Sequence, residues 1–198
     1  MDVEQVFRQC KDGEKVQSKI PVYCTDCGTC FDSLDRHGNQ VSCHNCGEIY
    51  YLNPIPAVSV LVVDGDNYLM GKRSTLSFEG GKWSLPCGYI EFNEDFLTAA
   101  RREVKEETGL EVEISSIISV MTNYFVDKQT LVVVLLAKVV GIGNLRNTDG
   151  EMTELKWFSS KENLPEMAFE ADIHIIKRYF ADRTAGAPVD ARYSRSSR

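Results

Sequence analysis

The sequence predicts an α+β chain, an α/β/α sandwich built on a mixed sheet and preceded by a small module stapled by four cysteines. Three observations carry this reading. A polar segment near the N-terminus holds two Cys-x-x-Cys pairs; the middle of the chain is dominated by β-branched, strand-like runs; and two helical patterns stand apart, one between strand groups and one after them. A length of 198 residues accommodates one ordinary domain plus a small appended unit. The divisions expected are an N-terminal segment at 1–20, the cysteine module at 21–52, the main domain at 53–183 and a disordered tail at 184–198.

Residues 1–20 are polar and mixed and define no clear element. The next thirty hold five of the seven cysteines in a stretch too short and polar for a self-sufficient core, so it needs a metal staple. Cys24-Thr-Asp-Cys27-Gly28 and Cys43-His-Asn-Cys46-Gly47 form two knuckles separated by fifteen residues, each followed by glycine. This spacing suits a tetrahedral zinc site of four thiolates, and the glycines permit the tight turns that aim backbone amides at sulfur. Cys30 offers a competing pair with Cys27, but Phe31 stands where the other knuckles have glycine, so Cys30 is read as a bystander. His44 lies inside the second knuckle, where four thiolates need no replacement. Cys10 and Cys87 have no metal-spaced partner.

From Ala57 the texture changes to Ala-Val-Ser-Val-Leu-Val-Val, then the turn-forming Asp-Gly-Asp-Asn at 64–67, then Tyr-Leu-Met-Gly-Lys-Arg, which together read as a hairpin. Asn93 is placed to cap a helix over 94–108, with Gly109 at the left-handed position that ends it. Strands follow at 112–126, interrupted or bent, at 130–139, whose continuous apolar character marks a central buried strand, and at 155–158. A second helix is expected over 166–182 with Ile173, Ile176 and Phe180 on one side. The tail from 184 lacks periodicity.

The first helix carries the chemistry. Glu103, Glu106 and Glu107 stand at i, i+3 and i+4, on one face. Like charges at these spacings cost roughly 0.2 to 0.5 kcal/mol per pair, and anions near a helix C-terminus oppose its dipole. A hard divalent cation such as magnesium or manganese, which prefers oxygen ligands, turns that repulsion into binding energy. A glutamate-rich stretch such as Glu103-Val-Lys-Glu-Glu107 taken alone is usually a solvated helix face.

The full pattern is more specific. Gly88, Glu94 after five intervening residues, and then Arg102-Glu103-Val104-Lys105-Glu106-Glu107-Thr108-Gly109-Leu110 match every defining position of the Nudix box, and Gly81-Lys-Trp-Ser-Leu-Pro86 resembles its usual lead-in. The resemblance to the Nudix family covers roughly 55–182. It implies the Nudix fold and hydrolysis of a nucleoside diphosphate linked to another group. It further implies Glu103 and Glu107 as principal metal ligands, Glu106 as a further ligand or proton acceptor, the Gly88 carbonyl as a backbone ligand, and Glu94 with Arg102 as a structural ion pair. Glu151, six residues before Trp157, is an additional base or ligand candidate, the alternative being an exposed loop glutamate. The cysteine module and the Tyr50-Tyr51-Leu52-Asn53-Pro54 junction resemble those preceding the catalytic domain in NADH pyrophosphatases and in ADP-ribose or FAD pyrophosphatases, relatives among which homodimers are common.

Composition narrows partners. The net charge of −7 argues against a nucleic-acid binder, and within 21–50 one basic residue, Arg36, faces Asp26, Asp32, Asp35 and Glu48, a net of −3. A small anionic substrate remains compatible, since a bound cation supplies positive charge. The N-terminus has no apolar signal-like core, and the longest apolar run, 131–140, contains Lys138 and is too short to span a bilayer, so the expectation is a cytoplasmic, reduced protein without a membrane partner. Between 111 and 130 there is no Ser-Gln-Pro-Trp-type motif of the NADH pyrophosphatases, and Thr122-Asn123-Tyr124-Phe125 replaces the proline of many ADP-ribose pyrophosphatases. Tyr124 and Phe125 can stack on an adenine or flavin ring, or simply fill a sheet. The substrate expected is ADP-ribose, FAD or a similar ADP-linked compound, with a MutT-like triphosphate pyrophosphohydrolase as the alternative and a noncatalytic nucleotide sensor as a third reading. Such sensors frequently lose box carboxylates, and here all are present.

Overall fold

The computed structural model describes residues 21–32, 35–125, 128–141, 143–147, 150–190 and 193. The chain divides into two compact units: 21–55 together with 122–131, and 56–121 together with the residues from 132 onward.

In the first unit, β1 (Arg36–His37), β2 (Gln40–Ser42) and β3 (Ile49–Tyr51) form an antiparallel sheet, with Arg36 opposite Val41 and Gln40 opposite Tyr51. Among the described residues its buried apolar cluster is Cys24, Phe31, Val41 and Cys43, with Tyr50 packed edge-on against Phe31 at 5.7 Å. Two of the four are cysteines, so sulfur chemistry takes the place of apolar volume.

The second unit is built on a larger sheet whose strands run in the order β10-β5-β4-β9-β8-β11. β4 (Ile55–Asp64) and β5 (Asn67–Arg73) make the hairpin read from the sequence, Val63 pairing Tyr68 and Asp64 pairing Asn67 around Gly65-Asp66. β9 (Gln129–Val139) lies inside the sheet between β4 and β8 (Val112–Tyr124), as its unbroken apolar run requires, and β10 (Met152–Ser159) pairs β5 along seven positions. Two short strands that no periodicity announced, β6 (Trp83–Ser84) and β7 (Cys87–Tyr89), pair β5 and β4.

Alternation along β4 separates two cores. Ala57, Leu61 and Val63 face one side with Tyr68, Trp83, Phe158 and the α2 residues Ile175 and Ile176. Val58, Val60 and Val62 face the other with Ala99, Ala100 and Val104 of α1. With apolar residues on both faces the strand needs a helix on each, and the α/β/α sandwich follows. Val104, wholly buried, anchors α1 with about 1.5 to 3 kcal/mol of side-chain burial.

Three expectations need correction. α1 spans Phe96–Thr108 and is capped by Asp95, whose Oδ1 accepts from Leu97 N (2.8 Å) and Thr98 N (3.0 Å). Asn93 sits outside the helix in the left-handed region at φ 71°, because 91–94 is used as a turn. The helix does end on Gly109, at φ 75°. α2 spans Glu170–Asp182, four residues shorter than expected, because 166–168 is drawn into extended contact with Trp83: Trp83 N donates to Glu166 O and Ala168 N to Trp83 O. Its buried face is Asp172, Ile175 and Ile176, with Ile173 only partly covered. Third, the stretch expected to be disordered from 184 contains β11 (Ala187–Pro188), which pairs with Ile117 and Ser116 of β8. Residues 1–20, expected as a separate segment, lie outside the described residues. No helix among the described residues is long and apolar enough to cross a membrane.

Candidate metal-dependent active site and cysteine cluster

The carboxylates of α1 are organised around one guanidinium. Arg102 donates to Glu94 through Nη2 (2.6 Å) and Nε (3.1 Å), to Glu103 Oε1 (2.8 Å), to Glu106 Oε2 (2.9 Å) and to the Tyr89 carbonyl (3.0 Å). Glu94 also accepts from Glu91 N, so the ion pair ties the 89–94 loop to the helix. The Arg102 hydrogen bonds pull the Glu94 carboxyl below the usual carboxylate range. Burial pushes Glu103 the other way, against the pull of Arg102 and with a further upward contribution from Glu106 and Glu151.

Glu107 turns inward. Its side chain is 1% exposed, and Oε2 accepts from the backbone N–H of Cys87 at 3.1 Å. Neighbouring Gly88 lies so near Glu103 that a Cβ there would sit 2.1 Å from Oε1 and 2.3 Å from Oε2. Two box carboxylates therefore meet the 87–88 backbone from one helix, with no room for a side chain between them. Hard oxygen donors crowded against a backbone strand are the donor set magnesium or manganese prefers.

The three glutamates are not gathered at a single point. Among the described residues, sets of three or more ligand atoms all within 4.8 Å of one another are formed by Cys24, Cys27, Cys43 and Cys46, and by Asp32, Asp35 and His44. Glu106, 49% exposed, leans out onto Arg102 while Glu107 points in. Glu151, on the loop before β10, acts electrostatically on Glu103, and its carbonyl accepts from Ser74 N at 2.7 Å.

Sequence reasoning missed what lies behind this surface. Asp172, in the first turn of α2, is buried and accepts from Leu85 N at 3.1 Å; burial raises its carboxyl to about 7, partly opposed by Arg73. Burial, then Glu107 and Asp172, raise the Cys87 thiol well above its ordinary value. Arg73 is held by the Phe78 carbonyl (Nε, 2.8 Å) and lies over the Phe169 ring. An aspartate early in a helix reads in sequence as a dipole partner in water, so nothing local marked it as buried.

In the first unit the four cysteine sulfurs cluster, Cys24 to Cys46 and Cys27 to Cys43 each at 3.6 Å. A tetrahedron with zinc–sulfur bonds of about 2.3 Å has edges of about 3.8 Å, so the set fits that ion closely. Gly28 (φ 73°) and Gly47 (φ 81°) close the knuckles by donating to the Cys24 and Cys43 carbonyls. Hydrogen bonding with Thr29 and Asn45 pulls the Cys27 thiol down to about 5. Cys30 stays outside the cluster, and His44 is turned to Asp35 at 2.9 Å. Cys10 lies outside the described residues. Tyr124 and Phe125 belong to this unit: Tyr124 ends β8 and Phe125 follows it, with the Lys128 ammonium over the Phe125 ring.

Residues 53–179 match the NUDIX domain. The chain belongs to the Nudix family. Its Nudix domain is similar over 131 residues to an ADP-ribose pyrophosphatase of Methanocaldococcus jannaschii, at 34% identity, covering 65% of this chain and 75% of that one. It is also similar to an NAD-capped RNA hydrolase NudC of Pseudomonas aeruginosa, at 29% identity over 167 residues. That match covers 83% of this chain but spans only 58% of the relative's length. The Nudix architecture is shared with the crystal structure of a NUDIX hydrolase from Nitrosomonas europaea, at a TM-score of 0.70 and 26% identity, covering 84% of this chain and 94% of that one.

Proposed function

We propose that the Nudix domain is a magnesium- or manganese-dependent pyrophosphatase that cleaves the diphosphate of an ADP-linked compound, ADP-ribose or FAD, and releases AMP. The observation that carries the reading is the approach of buried Glu107 and half-buried Glu103 to the backbone at Cys87 and Gly88, a cradle that a single methyl group would fill. Glu103, Glu107 and the Gly88 carbonyl would hold the cation, with Glu106 or Glu151 as a further ligand.

Bound there, a divalent cation offsets the negative charge that builds on the diphosphate oxygens as water attacks phosphorus. The protein's own contribution is positional. Arg102 fixes the oxygens of Glu103 and Glu106 through its hydrogen bonds, while the Cys87 amide fixes Glu107. A glutamate beside the attacking water would accept its proton; Glu106 and Glu151 are the candidates, one on the helix and one on the loop before β10. Burial and the neighbouring carboxylates raise the Cys87 thiol, which disfavours the thiolate a nucleophile requires.

The ADP-ribose pyrophosphatase relative supports this substrate class. The similarity to NudC proteins supports a second reading, an NAD-type cap at the end of RNA, against which the net charge of −7 weighs because phosphate backbones attract lysine and arginine. In the first unit, the four thiolates would hold one zinc ion in a closed site with no open position, a structural role.

A panel of ADP-ribose, FAD, NADH, NAD-capped RNA and nucleoside triphosphates, assayed with added magnesium or manganese, tests the proposal. AMP from ADP-ribose or FAD supports it. Release of pyrophosphate from triphosphates would transfer the chain to the MutT-like alternative, and tight nucleotide binding with no cleavage of any member would make it a sensor.

A further inference from the structure

Two buried carboxylates reach the same short stretch of backbone from opposite faces of the sheet. Asp172 of α2 accepts from Leu85 N at 3.1 Å, and Glu107 of α1 accepts from Cys87 N at 3.1 Å. Between the two amides stands Pro86, whose ring fixes φ and which has no N–H of its own. Its carbonyl is in turn held by Val60 N at 2.9 Å, and Cys87 pairs with Ser59 across β4. Leu85-Pro86-Cys87 is thus a stiff link, clamped by a helix at each end and by the sheet beneath.

A carboxyl group with almost no access to water is costly to keep unless its oxygens are hydrogen-bonded. The neighbours that face it are the Leu85 amide, the Arg73 guanidinium and the Cys87 thiol, so its oxygen has one clear task, accepting from Leu85.

We propose that Asp172 is a positioning residue: by holding Leu85 N it sets, through Pro86, the orientation of the Cys87 amide that fixes the Glu107 carboxylate, and so aligns the cation-binding face from the far side of the sheet. The proposal rests on the reading of Glu107 as part of the catalytic machinery, but the mechanical link itself does not. What the link needs is an acceptor at 172, not a charge. Burial raises the carboxyl to about 7, so the neutral acid is populated there beside the carboxylate, and both forms offer an oxygen that accepts.

The test compares Asp172→Asn, which keeps an acceptor, with Asp172→Leu, which keeps the branched shape at a larger volume and removes it; Asp172→Ala replaces the leucine variant if that one does not fold. Amide hydrogen exchange is followed by NMR on the full chain without added magnesium or manganese, with β9 amides as the reference for global opening. The leucine variant is expected to exchange faster than wild type at both Leu85 and Cys87, by about tenfold after that correction, as loss of one buried hydrogen bond implies, while the asparagine variant stays near wild type. Manganese affinity and kcat should fall in the leucine variant by a similar factor, with KM for substrate unchanged. Wild-type exchange at Cys87 in the leucine variant, or equal acceleration in both variants, overturns the proposal. A wild-type chain that cleaves no nucleotide refutes the pyrophosphatase reading alone, because the two amides still report on the link.

Discussion

Replacing Gly88 with alanine isolates the geometry of the candidate active site. The backbone at 88 has no positive φ, so alanine meets no backbone strain there and the whole effect comes from the added methyl. That methyl would lie 2.1 Å from Glu103 Oε1, and ordinary contact begins at 3.4 Å, so the carboxylate must retreat by about 1.3 Å. The retreat also breaks the 2.8 Å hydrogen bond from Arg102 Nη1. Displacing a reacting or ligating group by about 1 Å costs on the order of 100-fold in rate, equivalent to about 2.7 kcal/mol of transition-state stabilisation. Because the group that moves is the end of a side chain, folding should lose no more than about 1 kcal/mol. The assay is metal-dependent AMP release at saturating ADP-ribose, with thermal melting run in parallel. A 100-fold loss of kcat with a near-normal melting temperature is expected. Unchanged kcat would refute the argument that Glu103 works from where Gly88 leaves room for it.

Other consequences follow from the same contacts. Arg102→Ala strands Glu94, Glu103 and Glu106, two of them largely buried, and should destabilise the chain by about 3 kcal/mol, measured by urea unfolding at pH 7. Glu94 has a depressed folded pKa, so its contribution is complete above the ordinary glutamate value and is lost as pH falls through the lower folded value; acid melting curves of wild type and Glu94→Gln should converge in that window. Asp172 has the opposite sign. Its folded value is raised from 3.8 to about 7, so ionising it costs stability increasingly as pH rises from 3.8 to about 7, and Asp172→Asn should gain on wild type across that interval and hold a constant advantage above it. Elemental analysis should find about one tightly held zinc per chain, and Cys43→Ser should lose it along with the order of the three-stranded sheet while the Nudix domain still melts cooperatively.

Much of this was legible in the sequence because the informative signals are local. The Gly88-to-Leu110 pattern fixes a loop and one helix, and the four-cysteine spacing fixes two knuckles, so residues close in the chain are also close in space. The β4–β5 hairpin announced itself through β-branched alternation around Asp64-Gly65-Asp66-Asn67. The misses share a cause. Asn93 and Asp95 are both good caps, and only the turn at 91–94, set by Glu94 reaching Arg102, decides between them. The start of α2 depends on Trp83, more than eighty residues earlier, which draws 166–168 into extended pairing. Asp172 and Leu85 are likewise distant, and no pattern around either marks the contact. The short strands β6 and β7 are too brief to carry a period of their own and exist because β5 and β4 supply their partners.

The central claim, that carboxylates of one helix hold a cation over a diphosphate bond, is tested most directly by one comparison: AMP formed from ADP-ribose by wild type and by Glu107→Gln, each with added magnesium or manganese. The glutamine keeps the shape of a side chain that is 1% exposed and an oxygen for the Cys87 amide, but removes the charge a cation needs. The account predicts metal-dependent AMP release by wild type and a loss of at least about 100-fold in the variant, on the scale of removing a group that stabilises transition-state charge, with both proteins folded alike. Equal AMP release by the two proteins would contradict it.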